Sequence, residues 1–372
     1  MGKRIGVIGG GQLAWMMGAA AKKLGLELVV QTPSWDDPAV TIAADTILAP
    51  VADAAATAQL AAQCDVITFE NEFVDLEALE LLADQGVEFR PRLAALRPLL
   101  DKYHQRCYLR DLGLPAPQFS MLEEVSSPAF PIVLKTRRHG YDGQGTFIVK
   151  DADHLEATLQ SLGDQPLLVE EFIPFERELA MIAARSVEGA IVTYPVVETQ
   201  QERQVCQRVF APATVEPAIA QAAEAIAHTL LESLQVVGVF GIELFLTQDG
   251  KVLVNEIAPR THNSGHFSLD ACETSQFEQH LRAVAGLPLG RVTLRSGAVM
   301  VNLLGFETSQ NDYQTQRQQL AALPHTFVHW YGKTGSRPGR KLGHVTALAN
   351  SEAEQRRIAR TIETLWYGSD RG

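Results

Sequence analysis

The sequence predicts a protein of mixed α/β and α+β class that begins with a doubly wound parallel sheet. Residues 1–100 alternate short β-branched runs with helical stretches, an order typical of a parallel sheet. Residues 128–290 instead carry strands joined by glycine-rich or acidic segments. At 372 residues the chain exceeds the usual size of one core. We therefore expect three units, 1–100, 101–290 and 291–372, packed together because no low-complexity linker separates them.

The first unit is predicted from its regular order of elements. Strand-like runs are bounded by glycine, proline or acidic residues, and helix-like runs lie between them. The predicted elements are strand KRIGVIG, helix WMMGAAAKKLG, strands LELVVQT and DTILAP, helix 52–63, strand DVITFE, helix 74–85 and strand VEFRP. A further helix is expected over 96–115, ending at Gly113 and Pro115.

The remainder of the chain is predicted as strands with fewer helices. The expected elements are strands PIVLKTRR, GTFIVK and PLLVEEF, helix 216–234, a hairpin over VVGVFGIELFLTQDGKVLVNEIA, strands AVMVNLLG, TFVHWYG and GHVTALA, and a charged helix over 351–365. Asp249-Gly250 is a strong two-residue turn signal for the hairpin.

Composition excludes several classes of function. A net charge of −12 argues against a nucleic-acid partner, which needs a basic surface. No apolar run reaches membrane-spanning length. The four cysteines are far apart, without a CxxC pair, as in a reducing compartment. We expect a cytoplasmic protein with small-molecule partners.

The opening GGGQLA matches the pattern G-x-G-x-x-A that binds phosphates at a helix N-terminus. A site for NAD also needs an acidic residue about 20 positions further on. The second strand ends in Val30-Gln31-Thr32 instead. An NAD-dependent dehydrogenase is therefore a minor alternative, and the phosphate of another ligand remains possible.

The stretch VLKTRRHGYDGQGTFIV joins two predicted strands through a glycine-rich loop. Lys135 ends the first strand, and Gly140, Gly143 and Gly145 lie in the loop. Such a loop can cover a triphosphate, since glycine N–H groups bind its oxygens while the lysine neutralises charge. The alternative is a solvated hairpin loop.

The hairpin that follows predicts a metal site. With Asp249-Gly250 as its turn, Glu243 lies directly opposite Glu256 on the face of Phe245 and Val254. Opposed Cβ atoms are roughly 4.5–5.5 Å apart, and like charges there destabilise a sheet. A divalent cation or a shared proton would offset the repulsion, and Mg²⁺ with substrate phosphates is the common case. The alternative is that both side chains turn into solvent.

The loop Ala258–His266 concentrates a cation, an amide and two histidines. Arg260 suits the two oxygens of a carboxylate or bicarbonate. The histidines lack zinc-like spacing, so we interpret them as hydrogen-bonding groups. The loop is predicted to recognise an anion.

Together these features resemble the ATP-grasp superfamily. Within it, GGGQL, YDGQG, NEIAPRTHNSGH and RPGRKLGH resemble the 5-(carboxyamino)imidazole ribonucleotide synthase family of purine biosynthesis, over essentially the whole chain. The resemblance implies a doubly wound N-terminal domain, a central ATP-grasp domain and a small β-rich C-terminal domain. It also implies a homodimeric ligase that uses ATP, two Mg²⁺ ions and bicarbonate. Carboxyphosphate would carboxylate aminoimidazole ribonucleotide, giving ADP and phosphate.

The resemblance assigns roles to individual residues. Contacts to ATP are implied for Lys102, Lys135, Gly140, Gly143, Gln144, Gly145, Thr146, the hinge Glu170, Glu171, Phe172 and Ile173, and Glu178, Gln201 and Asn255. Magnesium ligands would be Glu243 and Glu256, and the bicarbonate region Arg260, His262 and Asn263. The acceptor base would meet Glu72, Tyr141 and Asp142, and its phosphate would meet Gln12, Leu13, Arg340 and Lys341. Because the acceptor amine must lose a proton, we predict that Asp142 takes it; the alternative is that Asp142 only caps the Asp142-Gly143 turn.

Three positions depart from the family pattern. Gln144 and Lys102 stand where the family has arginine, and Gln201 stands where it has histidine. The loss of a guanidinium at Gln144 matters most, since other groups replace it poorly. The alternatives are another ATP-grasp ligase with a different acceptor, or a binding protein without activity.

Overall fold

The computed structural model describes residues 2–125, 127–138 and 145–368. The first unit forms a four-stranded parallel sheet in the order β3-β2-β1-β4. Its elements are β1 (Arg4–Ile8), α1 (Gln12–Leu24), β2 (Glu27–Thr32), β3 (Asp45–Leu48), α2 (Ala54–Ala61), β4 (Val66–Phe69), α3 (Leu76–Asp84) and α4 (Leu93–Leu96), with a 3₁₀ turn at Pro38–Thr41. The predicted alternation is confirmed. The predicted strand VEFRP was wrong, because only Phe89 forms a bridge, parallel to Ile67.

The single helix predicted over 96–115 was also wrong. The chain leaves α4 and begins a new helix, α5 (Lys102–Asp111). Asp101 starts it, since its carboxylate accepts hydrogen bonds from the N–H groups of Tyr103 and His104. Asp101 also pairs with Arg137 at 2.8 Å. The break places Lys102 at the first turn of α5.

A second, antiparallel sheet has the order β5-β8-β6-β7. Its elements are β5 (Phe119–Met121), β6 (Ile132–Thr136), β7 (Thr146–Val149), α6 (Ala152–Leu162) and β8 (Leu167–Glu171). A 3₁₀ turn at Leu122–Glu124 follows β5. Lys135 lies near the end of β6, as predicted.

The third sheet has nine strands in the described chain, in the order β14-β13-β9-β11-β12-β15-β17-β16 with β10 beside β9. Its strands are β9 (Phe175–Arg185), β10 (Ile191–Thr193), β11 (Val197–Glu202), β12 (Val205–Ala211), β13 (Gly238–Thr247), β14 (Val252–Ala258), β15 (Ala298–Leu304), β16 (Thr326–Trp330) and β17 (Lys341–Leu348). Its helices are α7 (Pro217–Leu234), α8 (Ser268–Ala271), α9 (Gln276–Ala285), α10 (Gln314–Ala321) and α11 (Glu352–Tyr367), with a 3₁₀ turn at Asn263–Gly265. The C-terminal strands therefore extend the central sheet.

The hairpin of β13 and β14 pairs Glu243 with Glu256, as predicted. The predicted two-residue turn was wrong: Thr247 N–H donates to the carbonyl of Lys251 at 2.9 Å, so the loop has three residues and Gly250 has φ 77°. An irregularity beside Glu243 shifts the register back by one residue. Two deviations thus cancel. Val254 pairs with Leu244 in the core rather than with Phe245.

Three further observations bear on the sequence predictions. All four cysteines are thiols, and Cys272 is buried while the others are half-buried. Burial raises the pKa of Cys272 to about 12. None of the helices in the described ranges combines the length and the apolar character needed to cross a bilayer.

Candidate active site

A cavity of about 480 Å³ lies where the three sheets meet. It is lined by the start of α1, the chain after β4, the ends of β6 and β8, the hairpin and the loop that follows it. The predicted site residues that line it are Gln12, Leu13, Glu72, Lys102, Lys135, Thr146, Glu170, Glu171, Phe172, Ile173, Glu178, Gln201, Glu243, Asn255, Glu256, Arg260, His262, Asn263 and Lys341.

Two described residues assigned to the site do not line this cavity. The carbonyl of Gly145 accepts a hydrogen bond from the N–H of Thr136. The guanidinium of Arg340 instead donates to the carbonyl of Gly335, which precedes it by five residues, at 2.7 Å. The remaining predicted residues, Gly140, Tyr141, Asp142, Gly143 and Gln144, lie outside the described residues.

Lys135 belongs to a buried network that sequence analysis missed in part. Glu170 accepts from Arg106 Nε at 2.6 Å and pairs with Lys135 Nζ at 2.9 Å. Burial alone would raise the pKa of Glu170, but Arg106 and Lys135 outweigh it and lower that pKa to about 2. Burial lowers the pKa of Lys135 against the opposing effect of Glu170. Glu170 thus serves as the counter-ion of two cations.

Arg106 carries this network, although no sequence motif contains it. It is 2% exposed, and its Nη2 donates to the carbonyl of Asn255 at 2.7 Å. It lies four residues after Lys102, one turn along the same face of α5. That spacing is the signal that could have found it.

The paired carboxylates have separate partners. Glu256 accepts from Lys102 Nζ at 3.0 Å. Glu243 lies 3.3 Å from His262 Nε2 and accepts from Asn255 Nδ2 at 3.3 Å. Burial would raise the pKa of Glu256, but the ammonium groups of Lys102 and Lys135 hold it below its usual range. The predicted like-charge repulsion is therefore offset by lysines.

The same irregularity in the hairpin brings Asn255 to the cavity. Its side-chain oxygen accepts from Lys135 Nζ at 3.2 Å. Within the described ranges no group of three or more histidine, cysteine, aspartate or glutamate side chains could hold a metal ion. Two carboxylates and an amide oxygen are hard ligands that fit Mg²⁺ when phosphate oxygens complete its shell.

Glu178 is a second acidic group beside Glu243. Burial, and then the charge of Glu243, raise the pKa of Glu178 to about 7. Gln201 Nε2 donates to Glu178 Oε1 at 3.2 Å. Glu178 therefore titrates near neutral pH.

Arg260 uses two N–H groups on a carboxylate of the chain itself. Its Nε and Nη2 donate to the two oxygens of Glu72 at 2.6 and 3.2 Å. Burial would lower the pKa of Arg260, but the carboxylate of Glu72 outweighs this effect and raises that pKa, so the guanidinium stays charged. The predicted two-oxygen contact is made, in this structure, with Glu72.

The loop after β14 is held by one contact within the loop and by a pair of hydrogen bonds to β15. His262 Nδ1 lies 2.8 Å from Ser264 Oγ. The amides of Asn263 and Asn302 pair reciprocally at 2.9 and 2.8 Å, which ties the loop to β15.

The glycine turn allows side chains of β2 and the residue after β4 to approach closely. A Cβ on Gly11 would lie 2.5 Å from Glu70 Oε1, and one on Gly10 would lie 2.4 Å from Thr32 Oγ1. Glu70, which sequence analysis missed, accepts from the N–H of Leu13 at 3.3 Å. Gln31 at the end of β2 donates to the carbonyl of Pro50. Strand β2 ends without the acidic side chain that would bind the ribose hydroxyls of NAD.

Three family models match the chain. They are the ribonucleotide synthetase preATP-grasp domain over residues 1–98, the ATP-grasp domain over 108–277 and the phosphoribosylaminoimidazole carboxylase C-terminal domain over 298–358.

Two curated relatives match over nearly the whole length of both chains. The chain is 58% identical to the N5-carboxyaminoimidazole ribonucleotide synthase of Synechococcus elongatus, over 99% of this chain and 96% of that protein. It is 38% identical to the synthase of the same name from Bacillus subtilis, over 100% and 97%.

Solved structures also match over nearly the whole chain. The synthase from Aspergillus clavatus in complex with ADP and 5-aminoimidazole ribonucleotide has a TM-score of 0.90 at 32% identity, over 98% of this chain and 99% of that one. The synthetase from Thermotoga maritima has a TM-score of 0.88 at 37% identity, over 98% of both chains.

Proposed function

Because this chain belongs to the N5-carboxyaminoimidazole ribonucleotide synthase family, it is an ATP-grasp ligase that carboxylates 5-aminoimidazole ribonucleotide in purine biosynthesis, and we propose how its residues divide that reaction. The product, N5-carboxyaminoimidazole ribonucleotide, is the 5-(carboxyamino)imidazole ribonucleotide that the sequence motifs predicted. The single observation that supports the division is the meeting of paired carboxylates, two lysines and Arg260 in one cavity.

ATP binds with its phosphates against Lys102 and Lys135. Both ammonium groups already face carboxylates, at 3.0 Å for Lys102 and 2.9 Å for Lys135. Glu170 positions Lys135 through their ion pair, and Arg106 in turn binds Glu170. The chain from Glu170 to Ile173 is the hinge for adenine, and Glu178 binds the ribose.

Glu243 and Glu256 would hold two Mg²⁺ ions, with Asn255 beside them. When bound, the ions neutralise charge on the phosphates and orient the γ-phosphate. The contribution of the chain is to fix both carboxylates across a strand pair. The lysine that now pairs with Glu256 can turn toward phosphate oxygens.

Bicarbonate binds beside Arg260, His262 and Asn263. An oxygen of bicarbonate attacks the γ-phosphorus, which gives carboxyphosphate and ADP. The amine of the ribonucleotide then forms the bond to the carboxyl carbon, phosphate leaves and the amine loses a proton. Glu72 holds Arg260 charged and oriented for this sequence.

The acceptor ribonucleotide is bound by residues from both ends of the chain. Gln12, Leu13 and Lys341 take its phosphate, and Glu72 and Tyr141 take its base. Arg340, which the resemblance also assigned to the phosphate, lies outside the cavity and binds the carbonyl of Gly335 instead. Asp142 accepts the proton of the amine. This assignment of Tyr141 and Asp142 rests on the resemblance of YDGQG alone.

The variant Asp142→Asn tests the proton transfer. We expect it to keep slow, bicarbonate-dependent ATP cleavage and to lose carboxylation, because a general base typically contributes about 10²–10⁴-fold to the rate. Near-normal product formation would leave Asp142 as a turn residue.

We also propose that the protein is a cytoplasmic homodimer with unit borders near residues 100 and 290. The assembly can be measured by light scattering of the purified chain. A monomer at micromolar concentration would contradict it.

The reaction is tested by measuring ADP formation with each substrate omitted in turn. Full rate is expected only with ATP, Mg²⁺, bicarbonate and 5-aminoimidazole ribonucleotide together. A rate of ADP formation that does not depend on the ribonucleotide would indicate a ligase with a different acceptor.

A further inference from the structure

His266 lies on the cavity wall, and the reaction as described gives it no role. It is 0% exposed and is among the residues that line the cavity, and its Nε2 has no hydrogen-bond partner among the described residues. Buried polar atoms are nearly always paired. An unpaired ring nitrogen at a substrate cavity therefore needs an explanation.

The neighbouring Gln276 determines which nitrogen of His266 carries the proton. The Oε1 of Gln276 accepts from the N–H of His262 at 2.9 Å, and its Nε2 donates to the carbonyl of His262 at 2.7 Å. These two backbone contacts fix the orientation of the amide. The Nε2 of Gln276 therefore also donates to Nδ1 of His266, at 3.1 Å. With Nδ1 as acceptor, a neutral His266 has its proton on Nε2.

Its surroundings keep His266 neutral. Burial, and then the charge of Lys341, hold the pKa of His266 well below its usual range, with His262, His329 and Arg260 adding to the effect. The ring of His344 lies 4.9 Å from that of His266, and its own Nδ1 is 2.8 Å from Tyr331 Oη. The Nε2 of His344 likewise has no partner in the described part of the chain, so it does not accept from His266.

The position of His266 favours one substrate. Its ring lies 5.6 Å from Phe277, which shares a buried cluster with Leu13 of α1 and with Tyr331. His266 therefore lies near α1 and Lys341, which are proposed to bind the phosphate of the acceptor. An uncharged N–H donor among cations suits an oxygen of an anionic ligand.

We propose that His266 is a substrate-binding residue whose Nε2–H donates a hydrogen bond to an oxygen of the acceptor ribonucleotide. Gln276 is its positioning residue, since it fixes the tautomer. The proposal rests on the carboxylation reaction above and adds a donor to its acceptor site.

The test compares His266→Phe, which keeps a ring without a donor, with His266→Gln, whose amide nitrogen can replace Nε2–H. Losing one hydrogen bond to a charged group corresponds to about a 10- to 100-fold change. We expect the KM for the ribonucleotide to rise by that factor in His266→Phe and to recover in large part in His266→Gln. The matched control is His280→Gln, which removes a buried histidine that bridges Thr68 and Val239 away from the cavity.

The outcomes separate the proposal from the reaction itself. A rise in the KM for bicarbonate alone would overturn it, and so would unchanged constants or an equal rise in the control. A wild-type protein that does not carboxylate the ribonucleotide would instead refute the reaction. If His266→Phe does not fold, ¹⁵N-histidine spectra of the wild type decide. Among the ten histidines, the signal absent from His266→Gln must shift when the ribonucleotide binds, and an unmoved signal would refute the proposal.

Discussion

The variant Glu256→Gln separates two opposite electrostatic effects in the hairpin. Opposed carboxylates destabilise a sheet by roughly 0.2–1 kcal/mol, so a neutral amide relieves repulsion with Glu243. The same change removes the charged partner of Lys102, which lies 3.0 Å away. A hydrogen bond to a charged group is worth about 1.5–3 kcal/mol.

The exposure of Glu256 and Lys102 indicates which of the two effects on stability is larger. The side chain of Glu256 is 37% exposed and that of Lys102 is 14% exposed, so solvent screening favours the lower figure, about 1.5 kcal/mol. Subtracting the relief of repulsion leaves a net loss of about 0.5–1.3 kcal/mol. We therefore expect Glu256→Gln to melt slightly below the wild type without metal and to lose ATP turnover.

Glu243→Gln is the matched control. Glu243 has no lysine partner among the described residues, and its charge helps to raise the pKa of Glu178. Its removal should leave the metal-free melting temperature unchanged or higher. Both variants should lose most of the stabilisation that Mg-ADP gives the wild type in thermal melting. A Glu256→Gln protein that melts higher than the wild type without metal, or that turns over ATP normally, would refute the reasoning.

Three further predictions concern single side chains. Arg260→Lys should raise the KM for bicarbonate about 10- to 100-fold while calorimetry finds little change in Mg-ADP binding; equal losses would move the anion site elsewhere. Glu178 keeps its proton in the folded state up to about pH 7 against 4.5 normally, so the free energy of unfolding should fall as pH rises through that window. Urea unfolding of Glu178→Gln should show a smaller fall, and an identical profile would contradict the assignment. Arg106→Leu leaves Glu170 with one buried partner fewer and should cost about 3–5 kcal/mol, whereas an unchanged urea midpoint would refute its role.

The sequence predicts the N-terminal fold well because its signals are local. Strands β1 and β4 are short apolar runs, and α1, α2 and α3 are each bounded by an aspartate cap or a glycine. The large sheet was predicted less completely. Strand β9 lies inside this sheet, yet it begins FEREL, which lacks an apolar alternation. Its Arg177 pairs with Glu198 of the neighbouring strand β11. Only the neighbouring strands explain that segment.

The site shows the same division. Motif residues converge on the cavity because strand ends and one hairpin carry them. Glu70 and Gln276 belong to no sequence motif, and the N–H of Leu13 that Glu70 binds lies 57 residues away. Arg106 could be found only by its four-residue spacing from Lys102, because its partner Glu170 lies 64 residues away. The hairpin pair was correct only because a longer turn and an irregularity compensate each other.

The extension of the central sheet by the C-terminal strands has a consequence for truncation. Residues Arg208–Ala211 of β12 form a ladder with β15, and Phe210 packs in the same buried cluster as Val299 and Trp366. A fragment ending before β15 would present β12 as an unprotected edge with an exposed apolar flank. Such edges recruit strands from other molecules. A nucleotide-binding fragment that remains monodisperse must therefore retain β15 to β17 and α11.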